Sequence, residues 1–247
     1  MSFFRSLQQL RIHNHKGVAV LIDPDKMKEE SRVKAIAELI QHAEVSAVFI
    51  GGSLMVSDHF QQCVKWAKKH IKAPLVIFPG SPDQISEQAD ALLLLSLISG
   101  RNPELLIGNH VQAAPRLVKS QLEIISTGYM LIDCGKSTTA SYISQTYPIP
   151  YNKPEIAAVT AIAGEMIGMK CMYLDGGSGA EIPVSPAMIQ AVRQAVATPI
   201  IVGGGIRHED QAREAFMAGA DLVVVGTAIE ENPDMLFALS NASLSLR

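Results

Sequence analysis

Asp23-Pro24-Asp25-Lys26 places two carboxylates and an ammonium within four positions, directly after a β-rich apolar run. Two carboxylates at the mouth of a fold could hold a hard cation, and Mg²⁺ prefers oxygen ligands while keeping several waters. An Asp followed by Pro is equally a helix start, with the carboxylate as cap and Pro at the first helical position. The spacing alone leaves both readings open. Tyr173-Leu174-Asp175 closes another apolar run, and a period of two puts Tyr173 and Asp175 on one side of a strand. If that side faces a bound phosphorylated molecule, the carboxylate could act as a general base on a hydroxyl. The alternative is a core tyrosine followed by an aspartate that caps the next turn. The third group is Gly203-Gly204-Gly205 and Gly226-Thr227, with Gly176-Gly177-Ser178-Gly179 beside them. Glycines let backbone N–H groups approach an anion closely, so these loops predict a phosphate site. Tight strand–helix turns without a ligand would use the same residues.

The elements that must position these groups follow from periodicity. Short apolar runs at 18–22, 47–50, 75–78, 91–95, 128–132, 171–174, 199–202 and 222–225 read as strands. Helical patterns separate most of them, around 33–40 and at 58–70, 105–119, 155–169, 187–195, 209–218 and 230–239. Pro115 is expected to interrupt the fourth-strand helix. The stretch 81–90 is short for a helix, so an irregular or missing helix is expected after the third strand. A long polar insertion follows Asp133. Strands without polar alternation, joined through helices, indicate a parallel sheet covered on both faces. Eight such units predict an α/β fold, a single (β/α)₈ barrel over 1–247, with 1–16 as an N-terminal extension. An open doubly wound sheet is the second choice. In a barrel, all three chemical groups lie on the C-terminal rim, and the loops after the seventh and eighth strands are its usual phosphate site.

Composition narrows the function. The 247 residues carry a formal charge of −3, which argues against a nucleic-acid partner. Cys63, Cys134 and Cys171 are odd in number, form no CxxC, and read as buried small hydrophobes. The histidines show no HxxxH spacing and are otherwise scattered, and the neighbouring His13 and His15 read as a solvated N-terminal feature. Trp66 reads as packing, and Lys65, Lys68 and Lys69 as a solvated helix face. No dinucleotide fingerprint follows the first strand and no GxSxG occurs. With no signal peptide and no apolar run long enough for a bilayer, a cytoplasmic protein without a transmembrane segment is expected.

Taken together, the motifs resemble the geranylgeranylglyceryl phosphate synthase family. The residues that carry the resemblance are 21–26, Gly51-Gly52-Ser53, Tyr173 through Ala180, Gly203-Gly204-Gly205-Ile206 and Val225-Gly226-Thr227. The stretches Ser99 to Pro103 and Ile132 to Pro154 resemble its second group, the polyprenylglyceryl phosphate synthases, and the match runs from about Val18 onward. The resemblance implies a prenyltransferase of ether phospholipid biosynthesis. Such an enzyme joins a polyprenyl diphosphate to the sn-3 hydroxyl of sn-glycerol 1-phosphate and releases diphosphate. It implies Mg²⁺ at Asp23 and Ser53, leaving Asp25 as a cap or support. It implies that Tyr173, Leu174, Asp175, Gly176, Gly177, Ser178, Gly179, Gly204, Gly205, Gly226 and Thr227 hold glycerol 1-phosphate, with Asp175 and Tyr173 as catalytic candidates. Asp175 stands where the family often has Glu, and Leu21 where one branch has Lys one residue earlier; Lys26 could supply the missing charge. The resemblance also implies a dimer or hexamer, and a transient membrane-surface contact for product release is expected. Two other functions fit parts of the sequence. A phosphate-binding barrel isomerase or lyase accounts for the last two loops but not for 23–25 together with 51–53. A prenyl-phosphate binding protein with a retired site would leave the acidic rim residues without a role.

Overall fold

In the computed structural model, which describes residues 2–246, eight parallel strands close into a barrel in chain order. They are β1 (Gly17–Ile22), β2 (Ala47–Ile50), β3 (Leu75–Ile77), β4 (Ala91–Leu97), β5 (Glu123–Leu131), β6 (Cys171–Asp175), β7 (Ile200–Gly203) and β8 (Leu222–Val225). The helices are α1 (Phe3–Ile12), α2 (Glu30–Gln41), α3 (Phe60–His70), α4 (Asn109–Lys119), α5 (Thr139–Ser144), α6 (Pro154–Met166), α7 (Pro186–Ala195), α8 (Glu209–Ala218), α9 (Thr227–Glu231) and α10 (Met235–Leu244). The span 1–247 assigned to the barrel includes Met1 and Arg247, which lie outside the described residues.

Alternation along each strand produces two apolar layers. Ala19, Phe49, Val76, Leu93, Tyr129, Tyr173, Ile201 and Val224 point into the barrel. Their neighbours Val20, Val48, Leu75, Leu92, Met130, Leu174, Val202 and Val223 pack outward against the helices. An aromatic column fills the interior. Phe3 meets Phe49 edge-on at 5.8 Å, and Phe49 lies 6.3 Å from Phe78. Phe78 stacks on Tyr173 at 5.0 Å, while Tyr129 presents an edge to both.

The N-terminal extension is a helix, not merely a solvated tail. Ser2 caps α1 by accepting from the Arg5 N–H at 3.2 Å, and Phe3 and Leu7 are buried. The Glu123 carboxylate accepts from the Phe4 N–H at 3.2 Å and from the Ser2 hydroxyl, which ties α1 to the start of β5. That first half of β5 escapes the apolar-run reading because Glu123, Ser126 and Thr127 break the run. His13 and His15 are exposed, as expected.

Two helix expectations are corrected. α4 runs through Pro115, preceded by a π-helical turn at Glu104–Gly108. Pro115 sits on the exposed side, where the Val111 carbonyl that loses its donor can turn to water. The last helix is two helices, α9 and α10, parted at Asn232-Pro233. After β3, by contrast, the helix is missing, as the short 81–90 stretch predicts. Residues 78–90 form a loop held by Gln61 Nε2 and Arg116 Nη2, which donate to the Ile85 carbonyl at 2.8 and 3.3 Å. Within it, the buried Gln84 clasps the loops after β2 and β3, donating to Gly52 O at 2.9 Å and accepting from Gly80 N at 3.2 Å.

Candidate active site

The loop after β1 is a 3₁₀ turn, Pro24–Lys26, capped by Asp23, whose Oδ1 accepts from the Asp25 N–H at 3.0 Å. The two carboxylates then separate in role. Asp25 turns to the loop after β2 and accepts from Val56 N at 2.9 Å, Ser57 N at 3.0 Å and the Ser57 hydroxyl. Burial acts to raise its pKa, but these donors outweigh it and hold the carboxyl below its ordinary range. Asp25 is thus a brace for the loop that carries Gly51, Gly52 and Ser53. Asp23 faces the cavity that Ser53 and Lys26 also line.

Tyr173 and Asp175 both point inward from β6, as the period of two requires. Tyr129 on β5 lies opposite Tyr173 in register and was not singled out from the sequence. Its hydroxyl donates to Asp175 Oδ2 at 2.6 Å, and the Gly177 N–H donates to Oδ1 at 2.7 Å. Asp175 is therefore both a turn former and a group facing the cavity. Burial lifts its pKa above the ordinary carboxylate range, and the two hydrogen bonds offset only part of that. Burial, and then the Asp175 charge, push both Tyr129 and Tyr173 well above the usual phenol value, so both remain neutral.

The glycine loops complete the cavity. Gly177, Ser178 and Gly179 after β6, Gly204 and Gly205 after β7, and Gly226 and Thr227 after β8 line it with Tyr173 and Asp175. Gly203 makes room for the tyrosine, since a Cβ there would lie 2.5 Å from the Tyr173 hydroxyl oxygen. Gly204 has φ +85°, and a Cβ on it would lie 2.7 Å from Gly177 N. Two expected residues do not face this space. Leu174 points outward into the helix-packed layer, and Gly176 packs under the loop against Cys134, its N–H donating to Gly203 O at 3.0 Å. Lys26, Phe78, Thr139 and Arg207 also line the cavity. The Arg207 guanidinium donates to Ala180 O at 2.8 Å and Glu181 O at 3.1 Å, which fixes a positive charge beside the glycines. Its position just after Gly203-Gly204-Gly205-Ile206 was the available signal.

A second, apolar groove of about 870 Å³ opens where the helix after β3 is missing. Leu92 and Leu94 of β4 form part of it, with Ala113 and Leu117 of α4 across from them. His110 of α4 also lines it, its Nε2 2.8 Å from the Leu95 carbonyl. Tyr129 and Leu131 stand at its inner end. Gly52, Ser53 and Phe78 line both spaces, so groove and polar cavity meet there.

The remaining residues take structural places. Burial pushes the thiols of Cys63, Cys134 and Cys171 up to about 12, keeping them protonated. Trp66 packs on the outer layer, and Lys68 and Lys69 pair with Asp90 and Glu30 at the surface.

Fold and site define a (β/α)₈ barrel whose C-terminal rim joins a polar, glycine-lined cavity to an apolar groove. The chain belongs to the PcrB family, whose model matches residues 10–243. It is similar to a geranylgeranylglyceryl phosphate synthase of Spirosoma linguale, at 50% identity over 93% of this chain and 92% of that one. A synthase of the same name from Korarchaeum cryptofilum is 38% identical over 97% of this chain and 98% of its own length. Among solved structures, (S)-3-O-geranylgeranylglyceryl phosphate synthase from Thermoplasma acidophilum, in complex with substrate sn-glycerol-1-phosphate, matches with TM-score 0.92 at 29% identity, covering 98% of both chains. A thiamine phosphate pyrophosphorylase from Pyrococcus furiosus shares the fold at TM-score 0.58 and 14% identity. These matches favour the prenyltransferase over the isomerase or lyase reading.

Proposed function

We propose that the protein joins geranylgeranyl or another polyprenyl diphosphate to the sn-3 hydroxyl of sn-glycerol 1-phosphate. The products are an ether-linked prenylglyceryl phosphate and diphosphate. The observation that carries the reading is the shared boundary of the two spaces at Gly52, Ser53 and Phe78. A glycerol phosphate in the glycine-lined cavity and a prenyl tail in the groove would meet there. Glycerol phosphate incubated with prenyl diphosphates of several lengths and Mg²⁺ should give an organic-extractable product. No product at any length would reject the proposal.

In this scheme the loops after β6, β7 and β8 hold the phosphate through backbone N–H groups, with Arg207 adding charge. Asp175 accepts the proton of the attacking hydroxyl, and Tyr173 orients the glycerol. Closing the reacting atoms into one site supplies much of the acceleration. Asp23 and Ser53 fit a magnesium ion that arrives with its substrate: one carboxylate and one hydroxyl leave room for phosphate oxygens and water. Among the described residues, no group of three or more His, Cys, Asp or Glu converges to form a closed metal cage. Mg²⁺ at Asp23 and Ser53 would neutralise charge on the departing diphosphate. Asp23→Ala and Ser53→Ala should each raise the Mg²⁺ concentration for half-maximal rate about tenfold or more, with the glycerol phosphate KM nearly unchanged. A magnesium titration checks this, and unaltered curves in both variants would refute the assignment.

The groove sets chain length. Ala113→Phe should lower kcat/KM for geranylgeranyl diphosphate relative to geranyl diphosphate by about tenfold. Equal loss for both would show that the tail does not lie along α4. No helix among the described residues is long and apolar enough to cross a membrane. The proposed setting is the cytoplasm, with transient membrane contact as product leaves and a dimer or hexamer in solution. Exposed Val159 and Met166 on α6, and Val111 and Val118 on α4, offer apolar surface for such an assembly; light scattering measures its size.

A further inference from the structure

We infer that Tyr129 is a positioning residue for the reaction, fixing the Asp175 carboxylate at the boundary between the two substrate spaces. The inference rests on the prenyltransferase reading above. Tyr129 lines the apolar groove, whereas Asp175 lines the polar cavity, and the 2.6 Å hydrogen bond between them crosses from one to the other. Neighbouring strands set this placement. Tyr129 pairs in register with Tyr173, and Leu131 with Asp175, so the phenol reaches diagonally across the barrel mouth to the carboxylate two positions on. Phe78 and Tyr173 hold its ring edge-on, at 5.8 and 5.6 Å.

Each Asp175 oxygen thus has one fixed donor, Tyr129 at Oδ2 and Gly177 N–H at Oδ1. The carboxylate cannot rotate without losing one of them, and each oxygen keeps acceptor capacity for the substrate hydroxyl. In the step served, the sn-3 oxygen bonds to the allylic carbon. The bond from that carbon to diphosphate breaks, its electron pair leaving with diphosphate. The hydroxyl proton passes to Asp175, and Tyr129 keeps its own proton throughout. The titratable and charged groups around Asp175 are Tyr129 on β5, Tyr173 on β6, Cys134 after β5, and Asp23, Lys26 and Arg207 across the cavity. The phenols and the thiol stay neutral through the working range, so none of them contributes an acid limb of activity.

The test compares Tyr129→Phe, Asp175→Asn and the double variant. Tyr129→Phe keeps the ring in the groove and removes only the donor. Its kcat should fall about tenfold or more, and the acid limb of its pH–rate profile should rise by about one unit, because the buried carboxylate loses a bond that favours its charged form. The prenyl diphosphate KM should stay within about twofold, since the groove lining is retained. In the Asp175→Asn background the same change should alter kcat less than about twofold. As a second route, 3-fluorotyrosine at position 129, a stronger donor, should move the limb the opposite way. An unmoved limb in both position-129 variants, or a kcat loss of full size in the Asp175→Asn background, overturns the inference and leaves the prenyltransferase reading intact. If the unsubstituted protein transfers no prenyl group, that reading fails before any variant is compared.

Discussion

Asp175→Asn is expected to lower kcat by about 10²- to 10⁴-fold, the range for losing a positioned general base. The substitution is nearly isosteric and keeps an acceptor for the Gly177 N–H, so the turn it forms should persist. Its effect on stability should run against its effect on rate. Burial raises the folded-state pKa of Asp175 above 3.8, the value for an unperturbed aspartate. The folded protein then binds this proton more tightly than the unfolded chain does. The stability linked to the group is therefore full below the ordinary carboxylate range and is lost as pH rises through the elevated folded-state pKa. At neutral pH the buried charge is a liability, and Asp175→Asn should melt no lower than the parent. A variant that is inactive and clearly less stable at pH 7 would mean that Asp175 serves the turn alone.

Gly204→Val is expected to raise the glycerol phosphate KM by about 100-fold, roughly 2.8 kcal/mol at 1.4 kcal/mol per decade. Two effects combine at this position. The residue sits at φ +85°, where a β-branched side chain is strained by about 1–3 kcal/mol. Its Cβ would lie 2.7 Å from Gly177 N and 2.8 Å from Gly176 N, both backbone atoms that cannot swing aside. Relief requires moving the 176–179 loop, and with it one wall of the glycine-lined cavity. The prenyl diphosphate KM should change little, because the groove lies on the other side of Phe78. Initial-rate kinetics varying each substrate in turn measures the split. An equal rise in both constants would point to general unfolding of the rim.

Much of this site can be read from residue order because strand ends and glycine loops are local signals. Asp23, Ser53, Asp175, Gly204 and Gly226 each lie within three residues of the end of an apolar run, and a barrel brings all such positions to one rim. What stayed hidden depends on neighbours far along the chain. Tyr129 lies 46 positions from Asp175 and meets it only through strand pairing, while Glu123, Ser126 and Thr127 obscured the first half of its strand. Half of α1 is apolar, but only contact with Phe49 and Glu123 shows what it folds against. Leu174 fell on the wrong side of a motif because a motif names consecutive residues, whereas a strand offers only alternate ones to the site.

The helix absent after β3 has a consequence for how such an enzyme can diversify. The groove leaves the barrel over β4, passing from inward-facing Leu97 and Leu131 to outward-facing Leu92 and Leu94. On the proposed reading, the part that measures the tail thus lies outside the wall that holds Asp175 and the glycine loops. On that reading, substitutions on α4 would lengthen or shorten the accepted isoprenoid without touching Asp175 or the glycine loops. A barrel built this way would separate ruler from reactor, so that its lipid repertoire could drift while the bond-forming centre stays constant.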